Sequence, residues 1–558
     1  MSDSLKLALL QLNPIMGDIT GNMTKLSKAW QKAREEGCDI VITSELFLTG
    51  YPPQDFVLKP RIHKILRRSV EELARETASG PAILLGTPWK DETGLYNAAL
   101  LLEGGQIIAQ TYKHELPNYG PFDEKRVYQK GKLPNVMLWR DCRLGVMLCE
   151  DMWNEEVSRH LAAQDAELFI VMNGSPYEAE KNKLRHSIAQ KRIDETGVPL
   201  IYINQVGGQD ELLFEGASFV YDSKKEIVAQ AQSWGEEILP LTVHHQDRYL
   251  VPQKSTVAPS PEKNVSTYQG LMVGIHDFVT KNKFERVLIG LSGGIDSALT
   301  AAIAVDALGS NKVRTIMMPS PYTSAESLED AAMMAKNLEC RLDTIPISDT
   351  MRAFDLALSE QFMGCEPDVT EENIQARIRG VLLMALANKS GAMVLATGNK
   401  SEMAVGYTTL YGDMCGGYAP LKDVYKTGVY ELAQWRQNNK PETSHGPNRT
   451  IFPDRILTKA PSAELRPNQK DEDSLPPYEI LDQILHCLIE QDLGVAETMA
   501  MGQDSQIIRQ IYMMLDAAEY KRQQSPSGPK VSCKHLGLDR RYPITNRYAD
   551  RWHAQKTD

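Results

Sequence analysis

Short apolar runs separated by polar, glycine-rich or helical stretches recur along the first 246 residues. Six of them, at 5–12, 39–45, 82–88, 143–149, 167–172 and 200–204, have the length and apolar character of buried strands. A polar-faced helical segment at 23–36 lies between the first two. Gly104-Gly105 and Asp222-Ser223-Lys224, each flanked by apolar runs, signal hairpins. Alternation of this kind predicts a layered α/β domain over 1–246. The next stretch, 247–264, holds three prolines and scattered polar residues without periodicity, which reads as a linker. From 265 to 558, strand candidates at 287–291, 313–318, 342–347 and 393–396 alternate with helical segments such as 325–339. This half is expected to be a doubly wound, Rossmann-like parallel sheet, with ligands at the carboxyl ends of its strands. Polar, proline-bearing stretches at 438–448 and 466–477 read as loops, the first mobile and the second a lid.

Length and charge narrow the function. A chain of 558 residues needs more than one core. A formal charge of −12 argues against a phosphate-neutralising nucleic-acid binder. No apolar run approaches the eighteen residues of a membrane span, and the first residues lack the basic-then-apolar form of a signal peptide. The eight cysteines include no C-x-x-C pair, so they read as thiols of a cytoplasmic protein, and zinc is not expected from their spacing.

One stretch carries specific chemistry. Gly290, Leu291, Ser292, Gly293, Gly294, Ile295, Asp296 and Ser297 join a strand-like run to a helix-like one. A glycine turn at a helix N-terminus presents N–H groups to phosphate oxygens. The Gly-Lys-[Ser/Thr] ending of a Walker loop is missing, and Asp296 stands there instead, suited to a Mg²⁺ ion bridging phosphates. The pattern resembles the pyrophosphatase loop of enzymes that adenylate a substrate.

In the first half, Glu45, Lys113 and Cys149 each end an apolar run. Strand ends of an α/β layer can converge, and the trio is chemically coherent. A nearby cation lowers a thiol's pKa, a carboxylate accepts its proton, and lysine with a backbone N–H stabilises an oxyanion.

The surrounding segments, 44–53, 112–123 and 148–153, resemble the three catalytic blocks of the nitrilase (carbon–nitrogen hydrolase) family, an α-β-β-α sandwich. The resemblance implies that Glu45 is the general base, Lys113 the oxyanion partner and Cys149 the nucleophile. Residues 173–181 and 204–210 resemble the glutaminase branch, which implies that Tyr119, Ser175 and Lys181 hold glutamine. Glu115 and Glu124 are both candidates for an assisting second glutamate.

The second half resembles the glutamine-dependent NAD synthetases through 318–324, 372–379, 397–402, 411–417 and 461–467, in order. The order of the two halves matches that family along the whole chain. By this resemblance the loop from Gly290 to Ser297, with Met318 and Thr397, binds ATP as co-substrate. Asn373, Glu402 and Lys521 contact deamido-NAD, and Asp296 and Glu402 hold Mg²⁺. The implied reaction turns the nicotinate carboxylate into an acyl-adenylate, which ammonia released from glutamine attacks through a dry passage. The products are NAD, AMP, pyrophosphate and glutamate. A homo-oligomer is implied too. The same loop serves GMP synthetase, asparagine synthetase and tRNA-modifying enzymes, but their glutaminase halves are usually of other folds.

Overall fold

A computed structural model describes residues 4–500 and 502–546. The chain divides into two compact units, Met1–Ser266 and Thr267–Asp558. No helix among the described residues is long and apolar enough to cross a membrane.

Among the described residues, unit 1 contains fifteen strands. They are β1 (Ser4–Gln11), β2 (Ile40–Ile42), β3 (Ala82–Lys90), β4 (Leu95–Glu103), β5 (Gln106–Tyr112), β6 (Met137–Trp139), β7 (Cys142–Leu148) and β8 (Leu168–Asn173). There follow β9 (Leu200–Asn204), β10 (Val206–Gln209), β11 (Leu212–Glu215), β12 (Phe219–Tyr221), β13 (Ile227–Gln230), β14 (Glu237–Gln246) and β15 (Tyr249–Pro252). One sheet has the order β15-β14-β1-β2-β3-β4-β5 and the other β13-β12-β9-β8-β7-β6, with β10-β11 as a separate ribbon.

Side-chain alternation explains the layering. Leu7 and Leu9 of β1, Leu84 of β3 and Leu101 of β4 share one core with Leu144 and Val146 of β7 and Ile170 of β8. The intervening residues point outward. Ala8, Leu10, Ile83 and Leu85 pack beneath the helices Ile19–Glu35 and Pro60–Glu76, through Trp30, Leu66, Val70 and Leu73. On the second sheet, Phe169, Val171 and Tyr202 lie under the helices Glu155–Ala163 and Lys181–Thr196. Strands covered on both faces read as continuous apolar runs, which is how they look in the sequence. The result is an α-β-β-α sandwich.

The stretch expected as a linker, 247–264, supplies β15 to the first sheet, where Leu250 is buried. Pairing continues beyond it, since Ser255 N–H donates to the Val228 carbonyl and Gln230 N–H to the Thr256 carbonyl. Proline reads as a breaker, but an edge strand tolerates it because one side of its ladder is open.

Among the described residues, unit 2 has four parallel strands, β16 (Val287–Gly290), β17 (Val313–Met317), β18 (Arg341–Thr344) and β19 (Met393–Leu395), in the order β18-β17-β16-β19. Leu288, Ile316 and Val394 pack against Ile378, Leu383 and Ala387 of the helix Val369–Ser390. The helix Ile295–Leu308 is buried along nearly its whole length. The 438–448 stretch, expected to be mobile, is fastened. Ser444 Oγ donates to Asp306, His445 N–H to the Asp306 carbonyl, and Arg436 to the Pro447 carbonyl.

One close approach fixes the turn that carries Glu45. Residues 43–45 leave β2, and Thr43 Oγ1 accepts the Gly86 N–H at 2.9 Å. A Cβ at Gly86 would lie 2.2 Å from the Ser44 carbonyl oxygen and 2.9 Å from the Leu46 nitrogen. Gly86→Ala is therefore expected to cost about 1–3 kcal/mol. It should lower the thermal midpoint of unit 1 in calorimetry and displace the turn that carries Glu45.

Candidate active sites

Glu45, Lys113 and Cys149 come together in unit 1. Lys113 is the first residue after β5 and Cys149 the first after β7, and Glu45 sits on the turn after β2. All three are buried, at 0%, 1% and 4% exposure. Lys113 Nζ donates to Glu45 Oε1 at 2.7 Å and to Glu124 Oε1 at 2.9 Å. Asn97 Nδ2 also donates to Glu45 Oε1, at 2.7 Å, and the Gly174 N–H to Oε2 at 2.8 Å. Tyr51 Oη donates to Glu124 Oε1 at 2.9 Å.

The geometry separates the two glutamate candidates. Glu124 joins the buried array, whereas Glu115 pairs with Lys130 at 3.2 Å near the surface. Burial pushes the Glu124 carboxyl up to about 7, with Lys113 pulling it down and Glu45 pushing it further up. Burial alone would lower the Lys113 pKa, but Glu124 and Glu45 outweigh it and hold the ammonium charged.

The thiol differs from the sequence-based expectation. Burial first, and then the Glu45 charge, push Cys149 well above its usual pKa, although Lys113 opposes them. The lysine's charge is already shared by two carboxylates, so it does not create a standing thiolate. A thiol next to a carboxylate is instead arranged to lose its proton during attack.

Cys149 also has a backbone φ of 45°, in the left-handed region that a non-glycine residue adopts at a cost. Asp151 holds this elbow. It accepts the N–H groups of Leu148 at 3.0 Å, His114 at 3.0 Å and Glu115 at 2.7 Å, so it ties the turn after β7 to the segment after β5. Burial pushes its carboxyl up to about 6 against those hydrogen bonds.

The expected glutamine contacts divide. Tyr119, 56% exposed, donates to both Glu150 carboxylate oxygens at 3.0 Å, one residue beyond Cys149. Its ring is 5.5 Å from that of Phe122, over which Lys181 Nζ stands at 5.8 Å while bonded to Glu178. Ser175 is buried beside Gly174, and its Oγ accepts from Arg185, itself paired with Glu215.

In unit 2 the loop Gly290–Ser297 leads from β16 into its helix and, with Met318, Thr397 and Glu402, lines a cavity of about 300 Å³. Gly293 has φ 86°, and a Cβ there would stand 2.3 Å from the Ser327 carbonyl oxygen, so only glycine fits. Asp296 accepts Asn399 Nδ2 at 2.8 Å and pairs with Lys426. Lys426 Nζ lies 3.6 Å from Glu402, whose carboxyl is raised to about 8 by burial and by Asp296. Two carboxylates converging on one cation suit a Mg²⁺ site, and Lys426 balances their charge here.

Asn373 and Lys521 are not among the residues lining this cavity. Asn373 Oδ1 accepts from Thr409 Oγ1 at 2.8 Å, and Lys521 donates to the carbonyls of Gly406 and Thr408 at 2.8 Å each. Both fasten the loop that brings Gly412 and Asp413 to the cavity. Sequence reasoning missed Asn97, Asp151, Arg379 and Lys426. None stands at a strand end or in a glycine turn, and the family resemblance pointed to other residues. Arg379, whose pKa burial lowers to about 10, also lines the cavity.

A family model for carbon–nitrogen hydrolases matches residues 6–253, and one for NAD synthase matches 267–525. A glutamine-dependent NAD(+) synthetase from Rhodobacter capsulatus is 46% identical across 99% of this chain and 100% of its own length. The Thermotoga maritima enzyme of that description is 41% identical across 98% and 99%. Among solved structures, that of the Acinetobacter baumannii glutamine-dependent NAD+ synthetase in complex with ADP aligns with TM-score 0.78 at 39% identity. It covers 97% of this chain and 98% of that one. Matched in both halves and along almost its full length, the chain belongs to the glutamine-dependent NAD(+) synthetase family.

Proposed function

We propose that each unit carries one half-reaction of a glutamine-dependent NAD(+) synthetase, a carbon–nitrogen ligase, through the residues named above. What supports the glutaminase half is the burial of Cys149 beside Glu45, a carboxylate held by Lys113, Asn97 and the Gly174 N–H.

In that half, Cys149 Sγ attacks the glutamine side-chain amide as its proton passes to Glu45. Lys113, held between Glu45 and Glu124, offsets the oxyanion. Collapse of the intermediate returns the proton to the leaving nitrogen, and ammonia departs. Glu45 then takes a proton from water as its oxygen attacks the thioester, and passes it to the departing Cys149 sulfur, which releases glutamate and restores the thiol. Tyr119, Ser175 and Lys181 bind the substrate's amino-acid end, with the negative charge of Glu150 close to Tyr119.

In the other half, the loop from Gly290 to Ser297 takes the phosphates of ATP, with Met318 and Thr397 beside it. Asp296 and Glu402 hold Mg²⁺, which would offset the charge of the phosphate oxygens. Asn373, Glu402 and Lys521 contact deamido-NAD, and Asn373 and Lys521 also fasten the 406–413 loop. A homo-oligomer belongs to the same reading. Phe354, Leu356, Met363, Val369 and Val381 leave a set of apolar side chains exposed on unit 2.

NAD formation from deamido-NAD, ATP and Mg²⁺, supplied with glutamine or ammonium chloride, tests the assignment. Cys149→Ala is expected to lose glutamine-supported synthesis and keep ammonium-supported synthesis. Asp296→Ala should lose both and retain basal glutamine hydrolysis. Loss of ammonium-supported synthesis in Cys149→Ala would argue against separate sites.

Asp151→Asn weakens a carboxylate clamp on three N–H groups, worth roughly 1.5–3 kcal/mol. Glutaminase kcat should fall on the order of ten- to a hundredfold, with ammonium-supported synthesis unchanged.

The pH dependence follows from Glu402, whose carboxyl is held protonated up to about 8. A proton must leave before this group binds Mg²⁺. The half-saturating Mg²⁺ concentration should therefore fall by roughly tenfold per unit as pH rises towards 8, then level off. Glu402→Gln should weaken Mg²⁺ use and flatten that profile.

A further inference from the structure

A second group of potential ligands lies in unit 1, away from the nucleophile. Cys142 opens β7 and Cys149 follows its last residue, so the two thiols are about 23 Å apart along an extended strand. His245 comes from β14 in the other sheet, and Glu167 immediately precedes β8. We propose that Cys142, His245 and Glu167 bind one divalent transition-metal ion of intermediate softness, with zinc the best fit.

The distances favour this. One ligand atom from each residue lies within 4.8 Å of the other two. Cys142 Sγ is 3.5 Å from His245 Nε2. Tetrahedral zinc with ordinary Zn–S and Zn–N bonds places two such ligands about 3.6 Å apart. Glu167 Oε2 is buried and has no hydrogen-bond partner. A buried carboxylate oxygen left in that state is stabilised by a cation. The set of one sulfur, one nitrogen and one oxygen suits zinc better than magnesium or calcium, which take oxygen.

The three residues are also held rigidly. Glu167 N–H donates to the Arg143 carbonyl at 2.8 Å, next to Cys142. Leu250 N–H donates to the Glu167 carbonyl at 3.1 Å, and Leu250 is the cross-strand partner of His245. β15 therefore forms part of the frame of the site.

An ion enters past the His245 side chain, 46% exposed, where water completes the coordination. Binding breaks the Cys142 S–H bond and forms a metal–sulfur bond, with the proton released to solvent. The ion joins the two sheets and the start of β8, so its effect is on the stability of unit 1. The ligands come from three distant segments, which is why cysteine spacing gave no sign of zinc.

The test uses the full chain carrying Cys149→Ala, which silences the active-site thiol, stripped with a chelator and titrated with Co²⁺ or Zn²⁺. The expected result is one ion per chain by mass spectrometry, thiolate-to-Co²⁺ charge-transfer absorption in the near ultraviolet, and a higher thermal midpoint with Zn²⁺. Cys142→Ser and His245→Gln should each weaken binding at least tenfold, and Cys142→Ser should abolish the absorption. His245 is half-exposed, so His245→Gln tests the site even if Cys142→Ser misfolds. Glutamine hydrolysis by His245→Gln in the otherwise unaltered chain reports that it is folded. Absence of stoichiometric binding at micromolar Zn²⁺, or equal binding by His245→Gln, would overturn the proposal.

Discussion

A lysine buried to 1% exposure is the constraint on which the glutaminase unit is built. Removing an ammonium from water costs several kcal/mol even after relaxation, so Lys113 stays charged only with carboxylates in contact. Glu45 and Glu124 supply them and create the same problem in turn, which Asn97, Tyr51 and the Gly174 N–H answer. These partners come from β4, from the turn after β2 and from the residue after β8, so both sheets must end in register for the array to close. Deleting one partner leaves an uncompensated charge, at about 3–5 kcal/mol. Chemistry and fold are specified here by the same hydrogen bonds.

Unit 2 meets a related demand with the same balance, one ammonium against two carboxylates. Asp296 and Glu402 repel each other inside a cavity, and Lys426 lies against both. Asn399 links them, since its side chain donates to Asp296 and accepts the Glu402 N–H. Asparagine in this place, rather than an ionisable residue, adds hydrogen bonds without further charge. A Mg²⁺ ion would meet carboxylates already oriented, with Lys426 free to turn towards phosphate oxygens.

Most of the fold was legible because each strand buried on both faces is a short apolar run with few alternatives. The sites were legible where a polar residue interrupts such a run at its end, as at Glu45, Lys113 and Cys149. Asn97 lies inside β4 among leucines and alanines, where nothing local distinguishes a catalytic support from a satisfied core amide. Glu115 and Glu124 looked alike because the difference is three-dimensional: the chain after Lys113 turns one towards solvent and the other inward. Lys426 opens a helix with no glycine turn to mark it, and it becomes meaningful only when that helix is set against β16 and its loop. At 247–264, composition outweighed pattern, and the pair Leu250-Val251 was too short to be read as a strand. Asn373 and Lys521 were named through family resemblance alone, and the structure adds that both side chains bond to the 406–413 loop.

The positive φ at Cys149 bears on how this unit can change over time. Holding a residue with a Cβ in the left-handed region costs about 1–2 kcal/mol, and glycine would escape that cost. In a lineage that no longer drew nitrogen from glutamine, glycine at 149 would relieve that strain while removing the thiol proposed as nucleophile. Regaining the amidase would then mean accepting a strained elbow before any benefit returned. The backbone angle at one residue thus makes loss of the activity easy and its recovery hard.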